Sequence, residues 1–112
     1  MGILIKLLLG SIAVIITSYL LPGVTVANFG SALIVAAVLA LLNATLKPLL
    51  IILTIPVTVV TLGLFLLVIN GAIILLADAL VPGFLVDGFF WALLFSLIMA
   101  LLMYIFEGLV KN

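Results

Sequence analysis

The chain has 112 residues, of which 71% are hydrophobic and 5% charged, and its formal net charge is zero. A soluble domain is roughly 45–50% apolar and about 25% charged, and could not bury this much hydrocarbon. The composition predicts an integral membrane protein and excludes a basic surface for nucleic acid.

The residue types that are missing exclude further classes of function. The sequence contains no Cys and no His, so it offers no disulfide, no thiolate nucleophile and none of the usual zinc or haem ligands. Its serines have no basic partner in the sequence pattern. We therefore expect no enzymatic activity, no metal and no cofactor.

The first apolar segment, residues 3–21, has two interpretations. Lys6, the apolar run and the small residue Ala27 are typical of a secretory signal peptide. The alternative is a retained first helix. An internal repeat favours retention, because a near-copy of this region occurs in mid-chain.

The repeat aligns residues 20–43 with residues 80–103 at a constant shift of 60 and without a gap. Its best marker is a Pro-Gly pair at Pro22-Gly23 and again at Pro82-Gly83, with Val, Phe and Ala in register after it. Pro-Gly is a strong turn signal, so each copy is predicted to be a helix, a turn and a second helix. Chance similarity between Leu-rich segments is the alternative.

The predicted fold is an all-α membrane protein with a single domain, residues 1–112. Its four spans are each near the roughly 20 residues that cross a bilayer. The spans are predicted at about residues 3–21, 30–46, 57–80 and 89–110, and the repeat halves at about residues 1–43 and 61–103.

The segment between Pro48 and Pro56 joins the two predicted hairpins. Its seven residues are too few to cross the membrane, and irregular backbone cannot face lipid. We predict a short half-helix over residues 49–55, either re-entrant or interfacial. The chain then crosses four times and both termini share a side.

The lysines indicate the orientation. Lys6, Lys47 and Lys111 all fall on the side of the termini, and neither Pro-Gly turn carries Lys or Arg. Positively charged residues favour the cytoplasmic side, so both termini are predicted to be cytoplasmic.

Small residues recur every four positions on two of the predicted spans. This spacing lets helix backbones approach closely and predicts helix packing, either within one chain or between subunits. A general abundance of Ala in membrane helices is the alternative. The residues are Ala32, Ala36, Ala40 and Ala44 on the second span, and Ala92, Ser96 and Ala100 on the fourth.

Two amides are predicted to lie within the membrane. Asn70 is near the middle of the third span, and Asn43 is near the cytoplasmic end of the second. A buried Asn needs a hydrogen-bond partner, worth on the order of 1 kcal/mol. The two can join helices or line a pore, and the first alternative is favoured.

The three carboxylates are predicted to be solvated. Asp78 lies a turn before Pro82, Asp87 is in the second turn, and Glu107 precedes Lys111 by four residues, which favours a helical ion pair. No acid lies at the centre of a span. This disfavours a small multidrug exporter, which needs a membrane-embedded carboxylate in its first span.

Residues 43–84 resemble the signature of a bacterial membrane family, phage holin superfamily IV, the mycobacterial four-span holin family. The matching elements are Asn43-Ala44, Lys47-Pro48, "LTIP" at 53–56 with Pro56, "TLGLF" at 61–65 with Gly63, Ile69-Asn70 and "VPGF" at 81–84 with Pro82 and Gly83. The family usually has Arg where this chain has Lys47.

The resemblance implies a small, multi-pass protein of the bacterial cytoplasmic (inner) membrane. It also implies a homo-oligomer that permeabilises this membrane. The alternative is a non-lytic structural or membrane-stress protein that acts through helix packing with partners, since neither terminus carries the strongly charged tail of many holins. The expected partners are the lipid bilayer and further copies of the chain.

Overall fold

The computed structural model describes residues 2–110, in which four long helices are joined at one end by a short β-ribbon. The elements are α1 (Ile3–Leu20), β1 (Val24–Val26), α2 (Phe29–Leu53), α3 (Ile55–Val60), α4 (Phe65–Leu80), β2 (Phe84–Val86) and α5 (Phe89–Val110). By length and composition, α1, α2 and α5 can cross a membrane, and α4 is a shorter apolar helix. The protein is a mostly helical integral membrane protein.

The four long helices pack in a closed square. Helix α1 contacts α2 and α5, and helix α4 contacts α5 and α2. Helices α2 and α5 therefore face each other along one diagonal. The outward faces carry many exposed Leu, Ile and Val side chains, as expected of a surface that contacts lipid.

The two strands pair as an antiparallel ribbon between the two halves of the chain. The ladder continues past the strands, because the N–H of Ala27 donates to the carbonyl of Gly83 and the N–H of Asp87 donates to the carbonyl of Gly23, both at 2.8 Å. One face of the ribbon is buried on the helices and the other is exposed. The partners are Val24 with Val86, Thr25 with Leu85, and Val26 with Phe84.

Positions 60 residues apart make the same hydrogen bonds where the helices end. The N–H of Leu21 donates to the carbonyl of Thr17 at 3.0 Å, and the N–H of Val81 donates to the carbonyl of Ala77 at 2.9 Å. A duplicated hairpin would show such equivalence. The duplication itself stays a prediction from the sequence.

The connection between the hairpins differs from the expected one, because α2 continues through Pro48 to Leu53. Pro48 cannot donate to the carbonyl of Ala44, but a membrane helix tolerates one lost bond where water or a neighbour can bond the freed carbonyl. Ala44 borders a cavity that provides this access.

The chain departs from helical geometry further on, at Thr54 and at residues 62 and 63. Pro56 has no N–H for the carbonyl of Ile52, and the hydroxyl of Thr54 donates to the carbonyl of Leu50 at 2.7 Å. Leu62 and Gly63 both have positive φ, 57° and 90°, which stops the short helix α3 before α4. The third long helix, α4, thus begins at Phe65, whereas the third span was predicted to begin at about residue 57. Residues 49–55, expected as a separate half-helix, belong to the end of α2 and the start of α3, and their depth in the membrane stays a prediction.

Gly23 provides a test of the contact between the halves, because a Cβ at this position would overlap the indole ring of Trp91. We expect Gly23→Ala to destabilise the fold by about 1–3 kcal/mol through overpacking, measured by thermal unfolding in detergent micelles. Gly108→Ala is the control, since nothing lies within 4 Å of a Cβ there. Equal effects of the two substitutions would contradict this packing.

Candidate functional site

A cavity of about 480 Å³ lies between the long helices at the end of the bundle opposite the ribbon. This volume is within the range of about 300–1,000 Å³ that is usual for ligand pockets. On α2 the lining runs from Ala36 to Lys47, which at the helical rise per residue is a depth of about 16 Å. The cavity therefore extends from one end of the bundle to near its middle.

Helices α2 and α5 line the cavity with positions that are 60 residues apart. Along the walls, the paired positions carry small or flexible residues. At the mouth, the two paired residues have opposite charges. The pairs are Ala36 with Ser96, Leu39 with Met99, Ala40 with Ala100, Asn43 with Met103, and Lys47 with Glu107.

Within the part of the chain that the structure describes, three charged side chains lie at the mouth of the cavity. Lys6 comes from α1, Lys47 from α2 and Glu107 from α5. Lys6 is exposed, and the other two are half-buried. The expected partner of Glu107, Lys111, lies outside the described residues, so their ion pair stays a prediction. Of these three described side chains, two are positive and one is negative.

The two amides that were predicted to lie within the membrane both line this cavity. Asn70 reaches it from α4 and Asn43 from α2. Deeper on α5, the hydroxyl of Ser96 donates to the carbonyl of Leu93 at 2.8 Å, so it is satisfied by its own helix. The amides instead face open space, where they can bond water or a ligand.

The small-residue positions divide between helix packing and the cavity wall. Ala32 and Ala92 are fully buried, at 0% exposure, inside the single chain. Ala36 is also buried, and a Cβ on Gly10 would lie 3.1 Å from its methyl group, so α1 and α2 are in close contact there. Further from the ribbon, the small residues of α2 and α5 border the cavity. They are Ala40, Ala44, Ser96 and Ala100.

A packed core separates the cavity from the ribbon. Phe84 of β2 and Phe95 of α5 are both fully buried and meet edge to face, with ring centroids 5.4 Å apart. Thr17, near the end of α1 that leads to the ribbon, is also fully buried, and its hydroxyl donates to the carbonyl of Ala13 at 2.7 Å. Among the described residues, the cavity lining includes no residue of the ribbon.

Asp78 has a structural contact that the sequence did not indicate. It was expected to be solvated, but it is half-buried, and its Oδ2 accepts a hydrogen bond from the N–H of Val86 at 3.2 Å. The carboxylate therefore ties α4 to β2. Only the position of the ribbon reveals this contact, because no local motif marks it.

The family-motif residues divide between helices and turns. Four of them line the cavity: Asn43, Ala44, Lys47 and Asn70. The hydroxyl of Ser31 reaches across the halves to donate to the carbonyl of Pro82 at 3.5 Å. The others are Pro48 within α2, Pro56 in the first turn of α3, Gly63 before α4, and Pro82 and Gly83 in the turn before β2.

Comparison with known proteins gives one family and two relatives that have no described function. The family described as "Mycobacterial 4 TMS phage holin, superfamily IV" matches residues 1–105. "Uncharacterized membrane protein YvlD" of Bacillus subtilis (strain 168) is 41% identical over 98 residues, which are 86% of this chain and 82% of the relative. "Uncharacterized protein SCO3922" of Streptomyces coelicolor is 44% identical over 73 residues, 62% of this chain and 58% of the relative. No solved structure matches.

Single cysteines can test whether the cavity is open to water, because the chain has none of its own. We expect Ala44→Cys, on the exposed wall, to react with a membrane-impermeant maleimide in inverted vesicles, whose cytoplasmic face is outward. Ala32→Cys should react only after denaturation, since Ala32 is fully buried. Protection of Ala44→Cys from reagent on both sides of the membrane would show that the cavity is not water-filled.

Proposed function

Since this chain belongs to the mycobacterial four-transmembrane-span phage holin family, superfamily IV, we propose that it oligomerises in the bacterial cytoplasmic membrane and permeabilises it. The observation that carries the proposal is the cavity, which is polar at its mouth and reaches the middle of the bundle. It supplies one half of a path across the membrane within each chain.

The polar lining supports a role in passage of solutes. Charged and amide side chains at membrane depth are costly unless they face a cavity or a partner, and such groups usually mark a path or a site. Asn43 and Asn70 meet this description, because both border the cavity. Aliphatic packing alone would require neither amide.

The proposed orientation places the mouth of the cavity on the cytoplasmic side. Lys6 and Lys47 are both at the mouth, and positively charged residues favour that side. The ribbon then faces the outside of the cell, and both termini are cytoplasmic. The described structure corresponds to a closed state, in which the core beneath the ribbon is the barrier.

Opening requires the two hairpins to separate at the ribbon end. They meet along α1 with α5, along α2 with α4, and through the pairing of β1 with β2. Each strand has three residues, and a ribbon of two such strands is marginal without support from packing. Several chains that opened in this way could surround a continuous path, which is the reason to propose a homo-oligomer.

A non-lytic structural or membrane-stress role is the second candidate, and one observation favours it. Ala32, Ala36 and Ala92 are buried within the chain, so these small residues are already packed without a second copy. Such a protein would act by packing its lipid-facing surface against partners. Neither candidate involves catalysis.

Controlled expression in a bacterium distinguishes the two candidates. We expect abrupt loss of membrane potential as the protein accumulates, followed by lysis only when an endolysin is expressed with it. Healthy, polarised cells at high protein levels would contradict permeabilisation and favour the structural role.

Removing the barrier provides a sharper version of this experiment. Phe95→Ala deletes a fully buried ring between the cavity and the ribbon, so we expect depolarisation at a lower protein level than with the native chain. Phe90→Ala, an exposed ring on the same helix, is the control and should behave as the native chain. Immunoblots give the amount of each variant in the membrane. Identical depolarisation by the two variants would contradict the proposed barrier.

A further inference from the structure

We propose that the cavity is a binding site for one anionic phospholipid, with Lys6 and Lys47 holding the phosphate and the apolar wall holding the start of an acyl chain. The inference does not rest on permeabilisation, because it concerns the closed chain. The inference assigns a ligand to the cavity, which is also part of the proposed path across the membrane.

The mouth of the cavity has the charge for a phosphate. Lys6 lies on α1 and Lys47 on α2, so two lysines on different helices border one opening. Glu107 borders it too and opposes an anion, which leaves the described residues of the mouth with a net positive charge. Lysines at a membrane surface attract anionic lipids, each with an appreciable electrostatic contribution.

The amide of Asn43 adds hydrogen-bonding groups near this charge. It lines the cavity four residues before Lys47, and therefore one helical turn deeper on the same face. Its amide can donate to a phosphate or an ester oxygen. This places donors at successive depths, as the headgroup and glycerol of a phospholipid require.

The inner wall is suited to hydrocarbon. Leu39 on α2, Ile73 on α4, and Met99 and Met103 on α5 line it. Met side chains adapt to irregular ligands, and burial of an acyl chain against such a wall is favoured by the hydrophobic effect. A free phosphate ion would gain nothing from this wall, so the apolar lining favours a lipid as the source of the phosphate.

The size of the cavity limits the part of the lipid that enters. A cavity of about 480 Å³ cannot enclose a whole phospholipid. The site therefore takes the headgroup and part of one acyl chain, and the rest of the lipid stays in the bilayer. A lipid from the cytoplasmic leaflet can reach the site in the orientation proposed above. Small residues such as Ala40 and Ala100 leave space in the cavity for the acyl chain.

The test measures lipid binding to the purified full-length protein by native mass spectrometry, with phosphatidylglycerol as the anionic lipid and phosphatidylcholine as the zwitterionic one. We expect preferential retention of one phosphatidylglycerol. Lys6→Gln and Lys47→Gln should each weaken its binding about fivefold, the usual electrostatic contribution of one Lys at an anionic membrane surface. Inorganic phosphate at the same concentration should not displace the lipid.

Two variants with the same change in net charge distinguish lipid binding at the cavity from a general effect of the protein's charge. Glu107→Gln removes a negative charge at the mouth and should strengthen binding of phosphatidylglycerol. Asp87→Asn makes the same change in net charge at the exposed ribbon end and should have no effect. Ala100→Leu fills the cavity without a change of charge and should weaken binding.

Several results would overturn the inference. They are equal retention of both lipids, equal effects of Glu107→Gln and Asp87→Asn, and displacement of the lipid by inorganic phosphate. Thermal unfolding of each variant shows whether it is folded, so a loss of binding in a stable variant can be assigned to the site. Absence of lipid binding would leave the depolarisation experiment unaffected, and the two proposals can therefore fail separately.

Discussion

The antiparallel pairing of β1 with β2 is the interaction on which the arrangement of the four helices depends. It joins residues from the two halves of the chain in one register, with Thr25 opposite Leu85 at its centre. Because the two hairpins are fixed together at this end, their helices are held close there, and Phe84 and Phe95 complete a closed core. At the opposite end no such pairing joins the hairpins among the described residues, and a cavity lies between the helices.

This difference between the two ends gives one molecule two environments. Near the ribbon the small residues are buried, and side-chain hydroxyls bond to carbonyls of their own helices, as Thr17 does. Towards the other end the same helix faces carry Lys47 and Glu107 into an opening that water or a lipid headgroup can enter. A path across the membrane and a lipid site are both proposals about this opening. In the first proposal the opening conducts solutes, and in the second a lipid fills it.

The sequence predicted the parts of the structure that depend on local signals. Hydropathy identified the long apolar helices, and the Pro-Gly pairs at residues 22–23 and 82–83 identified the turns that lead into the strands. The ribbon itself could not be predicted, because strands of three residues have no recognisable period and their pairing joins positions far apart in the chain. The hydrogen bond from Val86 to Asp78 depends on that pairing and was missed with it.

The site was only partly predictable for the same reason. The four-residue spacing of the Ala residues indicates which helix face is turned inwards, but not where neighbouring helices separate to leave a cavity. Residues 49–55 were expected to form a separate half-helix after the second span, and yet α2 continues through Pro48 to Leu53, because tertiary surroundings decide whether one lost hydrogen bond is tolerated. Ionic conductance in planar bilayers, with Thr25→Cys and Leu85→Cys placed opposite each other in the ribbon, tests the central claim most directly. The account predicts conductance in the reduced protein, its loss when the cysteines are cross-linked, and its return with reductant. Conductance that is unchanged by the cross-link, or absent in every state, would contradict it.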